Sequence, residues 1–140
     1  MRFLLFLISL PCFAISEVET TCLIQNIYHE ARGESIEGKI AVGYVTINRL
    51  QNPQFPKTIC GVVYQACQFT WSCAKNSSEM DLDEWRESSE VAKNLLEGKY
   101  SNTVKNSYYY YNSRLVRPRW RYCEDTIQID NHTFCLTYEK

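Results

Sequence analysis

Seven cysteines in 140 residues constrain this chain most, because the first lies in a leader that sends the rest to an oxidising compartment. The leader reads MRFLLFLISLPCFA. Arg2 supplies its positive end, Phe3–Leu10 is an apolar run, and Cys12 and Ala14 put small residues at the positions a signal peptidase reads. The run is too short to span a bilayer, which needs about 20 apolar residues. Cleavage after Ala14 is expected, leaving Cys22, Cys60, Cys67, Cys73, Cys123 and Cys135. An even set in an exported chain reads as disulfides. Sequence alone does not choose the pairing, although Cys123–Cys135 is preferred because it closes a short hairpin. A zinc site is disfavoured, since no CxxC or HxxxH spacing occurs.

Residues 15–140 carry no repeat, low-complexity tract or long linker, and they suit one compact domain. The formal charge of −1 lacks the basic excess of a nucleic-acid binder, so no nucleic-acid partner is expected. From Val18 the apolar residues Cys22, Ile24, Ile27, Tyr28 and Ala31 recur at helical intervals, and Gly33 is a natural stop. Ser35 can cap a second helix so apolar that it belongs at the centre of the core, with Asn52-Pro53 ending it. Within it, Gly38 and Gly43 read as points of close approach. Thr58 can cap a short helix through Ala66. Asp81-Leu82-Asp83-Glu84 has capping-box spacing for a helix to about Leu96, with Gly98 beyond. The rest changes character: Ser107–Asn112 and Thr126–Tyr138 are aromatic and β-branched, with a turn at Asp130-Asn131. The expected fold is α+β, mostly helical with a small C-terminal antiparallel sheet.

The stretch IYHEARGES, Ile27–Ser35, holds the densest chemistry and admits three readings. A helical zinc site would need a second histidine four residues after His29, where Gly33 stands. A cysteine nucleophile needs a free thiolate, and no G-x-S-x-G elbow supports a serine one. The second reading is carboxylate acid/base chemistry. Glu30 falls in the last helical turn, where the dipole disfavours a charged carboxylate. Glu34, beyond the glycine, is expected to be the more exposed of the two. The third reading is an inert helix end with Arg32 neutralising one glutamate.

A wider set of residues bears on this choice. Tyr28–Ser35, Glu37-Gly38, Ala41-Val42-Gly43 and Asn48-Arg49 resemble the opening motif of the SleB/CwlJ-type cell wall hydrolases. The similarity continues through Phe55–Gln65 and Gln68-Phe69-Thr70-Trp71. It returns at Tyr109–Asn112, Pro118-Arg119-Trp120 and His132-Thr133-Phe134, while Ala74–Ser101 matches only loosely. The resemblance implies a lysozyme-like helical fold and an enzyme that cleaves peptidoglycan glycan strands between N-acetylmuramic acid and N-acetylglucosamine. It also implies that Glu30 is the catalytic acid.

Substrate-binding candidates accompany that acid. Gln65, Gln68 and Phe69 lie in a matching block, and Tyr110 is favoured from the family match. Trp71 and Trp120 offer sugar-stacking faces. Glu34 shapes the turn, and His132 is read as a hydrogen-bonded residue near the site. Arg114, Arg117, Arg119 and Arg121 form a basic run that reads as a solvated loop, or as attraction to anionic stem peptides or a membrane surface. The expected protein is a monomeric, exported, periplasmic or secreted peptidoglycan enzyme without metal or cofactor, with at most peripheral membrane contact. Lytic transglycosylase chemistry is expected. A hydrolytic muramidase or glucosaminidase stays open, as does a non-catalytic wall-binding module that keeps the fold.

Overall fold

A computed structural model describes residues 15–65, 71, 79–116, 118 and 123–138. The leader, Cys67, Cys73, Gln68, Phe69, Trp120, Arg117, Arg119, Arg121 and the predicted end of the third helix at Ala66 lie outside these residues. Four helices come first: α1 (Glu17–Glu30), α2 (Ile36–Gln51), α3 (Ile59–Tyr64) and α4 (Leu82–Leu96). Three strands follow, β1 (Tyr110–Asn112), β2 (Cys123–Ile129) and β3 (His132–Tyr138), forming an antiparallel sheet of order β1-β3-β2. Among the described residues no helix is long and apolar enough to cross a membrane.

The helices begin where side chains can satisfy their free N–H groups. The Ser35 hydroxyl accepts from Gly38 N, Thr58 from Gly61 N, and the Asp81 carboxylate from Asp83 N and Glu84 N. The capping box at Asp81 is only half made. Glu84 does not reach back to Asp81 N, which donates instead to the Tyr28 hydroxyl at 3.0 Å.

Helix α2 holds the molecule together because it is apolar on two sides. Ile40, Tyr44, Ile47 and Leu50 pack against a cluster built from α1, α3 and α4. Ala41, Val42 and Val45 join Ala31, Val104, Ile129 and Phe134 in a second cluster beneath the sheet. Gly43 permits the first contact, since a Cβ there would lie 2.7 Å from Leu95 Cδ1 and 3.2 Å from Ile27 Cδ1. The predicted central helix and its close approaches are therefore observed. Disulfides Cys22–Cys60 and Cys123–Cys135 tie α1 to α3 and β2 to β3, the latter as preferred from spacing. Glu19 reinforces the first tie by accepting from Ile59 N and Cys60 N at the start of α3.

Two expectations about strands are corrected. β1 is only three residues long, so Tyr108 and Tyr109, expected within a strand at Ser107–Asn112, precede it. β2 starts at Cys123, ahead of the predicted Thr126, because the ladder with β3 extends past irregularities beside Asp125.

Candidate active site

Glu30 is the last residue of α1. Ala31 leaves helical geometry at φ −121°, and Gly33 turns the chain at φ +75°, a conformation that favours glycine. Glu34 N then bonds back to Ala31 O at 3.0 Å, and Ser35 opens α2. The side chain of Glu30 is thus delivered at the negative end of a helix dipole.

Its partner comes from the far end of the chain. The Tyr110 hydroxyl donates to Glu30 Oε2 at 3.0 Å. Burial holds the Glu30 carboxyl above its ordinary pKa, while Tyr110, the Trp71 indole and the Arg49 charge pull it the other way without cancelling the rise. The Tyr110 phenol is pushed well up, first by burial and then by the Glu30 charge, so it remains a donor. One protonatable carboxyl and one fixed hydroxyl donor therefore share the site.

The segment leading into Tyr110 is set by two residues of α2. Asn48 Nδ2 donates to Lys105 O and Ser107 O, and Arg49 Nε donates to Tyr108 O at 2.7 Å. The Arg49 guanidinium lies against the rings of Phe55 and Tyr109, 5.4 and 5.3 Å from their centroids. Arg49 was legible as part of the Asn48-Arg49 motif, yet its proximity to the acid was not. On the other side, Trp71 stacks on His29 at 4.4 Å and meets Tyr64 edge-on at 5.8 Å. Burial and the nearby Arg32 charge lower the His29 pKa, favouring its neutral form.

Glu34 is placed differently from the expectation that it would be exposed. Its side chain is only 7% exposed. Oε1 accepts from Asn131 Nδ2 at 2.9 Å and Oε2 from Asn131 N at 3.3 Å, so the β2–β3 turn closes over it. His132 Nδ1 stands 3.7 Å from Glu34 Oε1, and the ring meets Tyr110 edge-on at 5.1 Å. Burial lowers the His132 pKa despite the Glu34 and Asp130 charges. Asp130 completes the junction, with Oδ2 accepting from Ser35 N at 2.9 Å and Ser35 Oγ at 2.6 Å. Gly38 makes room for it: a Cβ there would fall 2.4 Å from Asp130 Oδ2.

Arg32 does not neutralise either glutamate of its motif; it pairs with Asp81 at 3.7 Å. Gln65 ends α3, with its side-chain oxygen buried and unpaired among the described residues. Arg114 is exposed in the loop after β1. The structure thus gathers Glu30, Tyr110, His132 and Glu34 around one junction. Asn131, Asp130, Lys39 and Glu84 belong to the same surroundings and were missed by sequence reasoning, since their partners lie about fifty to a hundred residues away. Among the described residues no group of three or more His, Cys, Asp or Glu side chains gathers as a metal site.

A helical domain with one buried carboxyl at a helix end, roofed by a small sheet, is the class this geometry defines. The profile of the cell wall hydrolases matches residues 33–135, and the chain belongs to that family. The match opens at Gly33, just after Glu30. A spore cortex-lytic enzyme of Oceanobacillus iheyensis is 30% identical over 123 residues, covering 86% of this chain and 42% of the relative. The chain spans less than half the length of the curated relatives it matches. In fold it is similar to the catalytic domain of the Bacillus cereus SleB protein. The TM-score is 0.71 and the identity 24%, over 88% of this chain and 93% of that one. It is also similar to the catalytic domain of the germination-specific lytic transglycosylase SleB from Bacillus anthracis. There the TM-score is 0.68 and the identity 24%, over 90% and 99% of the two chains.

Proposed function

We propose that this protein is an exported enzyme, residues 15–140 forming its catalytic domain. It cleaves peptidoglycan glycan strands between N-acetylmuramic acid and N-acetylglucosamine, with Glu30 as acid and then base. The observation that carries this reading is the Glu30 carboxyl itself, held above its ordinary pKa at a helix end with the Tyr110 hydroxyl 3.0 Å away. Breaking a glycosidic bond requires a proton on a poor leaving oxygen while positive charge develops at the anomeric carbon. A carboxyl that keeps its proton near neutral pH can supply it.

Protonated Glu30 gives its proton to the glycosidic oxygen, and the bond to the muramyl anomeric carbon breaks. The carboxylate left behind is stabilised by Tyr110 and by the Arg49 charge. It then removes the proton from the muramyl 6-hydroxyl, whose oxygen bonds to the anomeric carbon and closes a 1,6-anhydro ring. Glu30 ends protonated, as it began, and no water is consumed. The lytic transglycosylase named in the Bacillus anthracis structure supports this order over attack by water. Tyr110 is the substrate-facing donor in this reading. Gln65, Gln68, Phe69 and Trp120 are assigned to the cleft from their places in the motif blocks. Glu34 and His132, both enclosed, are assigned to hold Tyr110 and the turn from behind.

Digestion of purified sacculi with the mature protein, followed by mass spectrometry of the new ends, tests the proposal. Anhydromuramyl ends are expected. Reducing muramic acid or glucosamine ends would mean a hydrolytic muramidase or glucosaminidase, and binding without release would mean a wall-binding module.

A further inference from the structure

We propose that Lys39 and Glu84 form a latch that positions the Glu30 carboxyl, making them positioning residues for the reaction proposed above, on which this inference rests. Lys39 lies on the apolar helix α2, yet its side chain is only 1% exposed. Its ammonium meets three oxygens: Glu84 Oε2 at 3.0 Å, the Glu34 carbonyl at 3.1 Å, and Glu87 Oε1. The ammonium donates to the Glu34 carbonyl and to Glu87 Oε1, and holds Glu84 Oε2 as an ion pair. Glu84 uses its second oxygen differently, since Oε1 accepts from Gly33 N at 3.3 Å. One lysine and one glutamate therefore grip two successive residues of the turn behind Glu30, through the Gly33 N–H and the Glu34 carbonyl.

The surrounding contacts converge on the same turn. Asp81 N donates to the Tyr28 hydroxyl, Arg32 pairs with Asp81, and Trp85 packs edge-on against Tyr28 at 5.5 Å. The first turn of α4 is thus seated on the last turn of α1 and on the reversal after it. Glu34, gripped at its carbonyl by Lys39, uses its carboxylate to hold Asn131 beside His132, whose ring meets Tyr110. The latch acts on both halves of the site, the acid and its hydroxyl donor. Stability alone is a poor account of such a group, because replacing a buried ion pair by apolar side chains is often neutral or stabilising.

The test uses the full mature chain with Lys39→Met and Glu84→Ala, and Glu87→Gln as the control that touches the lysine but not the turn. Turnover of soluble glycan oligomers is measured at a temperature where circular dichroism shows every variant folded. Lys39→Met and Glu84→Ala are expected to lose about tenfold in kcat at unchanged KM, and Glu87→Gln to stay within about twofold. Parental kcat in the first two, or a loss confined to KM, would overturn the latch. Glu84→Gln, which keeps the shape and an acceptor oxygen, replaces Glu84→Ala if the latter does not fold. It is expected to lose less in kcat.

A second readout needs no turnover. The Gly33 amide exchange rate and the Glu30 carboxyl titration are followed by NMR in the same proteins. Faster exchange and a displaced Glu30 midpoint are expected in Lys39→Met; parental values of both would sink the latch. If the parental protein cleaves nothing, the functional reading fails by itself, and the NMR arm still decides whether the latch positions Glu30.

Discussion

The Tyr110 hydroxyl reaches Glu30 Oε2 at 3.0 Å, joining the first residue of β1 to the last residue of α1. The contact pairs a buried phenol donor with a carboxyl that burial holds above its ordinary pKa. A phenol would keep its proton in neutral water too, but the carboxyl would not, so it is the acid's character that depends on the packing around it.

Glu30→Gln should lower strand cleavage about a thousandfold while making the fold more stable at neutral pH. A carboxyl whose folded pKa is raised contributes stability fully present below its ordinary value of 4.5, and lost as pH rises through the higher folded value. Glutamine does not titrate. The variant's advantage in Tm should therefore grow from pH 4 to pH 8, measured by calorimetry; a constant or shrinking gap would contradict the burial of an ionisable group there.

Tyr110→Phe removes a hydrogen bond that pulls the Glu30 pKa down. The acid form should persist to higher pH, moving the alkaline limb of kcat/KM upward, while peak activity falls about tenfold from the lost donor. A pH–rate profile in matched buffers checks this, and movement of the limb toward acid would mean that Tyr110 does not act on Glu30.

Gly38→Ala should destabilise the chain by about 2 kcal/mol, because the new methyl meets Asp130 Oδ2. In an Asp130→Ala background most of that penalty should vanish, since the obstructing oxygen is gone and alanine is the better helix former. Urea unfolding of the four proteins in a double-mutant cycle measures the coupling. Additive losses would place the strain elsewhere.

Removing the Cys22–Cys60 disulfide by a double alanine substitution should cost about 4 kcal/mol on the loop-entropy account for the 38-residue separation. Chemical denaturation checks the value. A loss below 1 kcal/mol would mean that Glu19 and the core contacts hold α3 unaided.

Much of the fold was legible because it is written in short-range chemistry. Ser35, Thr58 and Asp81 each cap a helix by bonding a backbone N–H two or three residues on. Gly33 and Gly98 adopt the positive φ that their positions after helices implied. Glu30 could be singled out because a helix end and a glycine stop are local facts. What was hidden depended on partners far along the chain. Glu34 looked exposed because Asn131, which covers it, is 97 residues away. Glu84 looked like half of a capping box because Gly33 and Lys39, its actual partners, are not its neighbours in sequence. Tyr108 and Tyr109 read as strand because nothing local showed that Arg49 would hold Tyr108 before the ladder starts.

The sheet roof has a further consequence for when the acid comes into being. Glu30 emerges early, but Tyr110 and the Asp130–Asn131 turn that complete its surroundings belong to the last third of the chain. A nascent or partly threaded polypeptide carries the glutamate as an ordinary solvated side chain, with an ordinary tendency to lose its proton. The chemistry is therefore withheld until the C-terminal strands have arrived and closed over α1. Under the function proposed above, that delay would confine the acid form of Glu30 to the finished, folded protein.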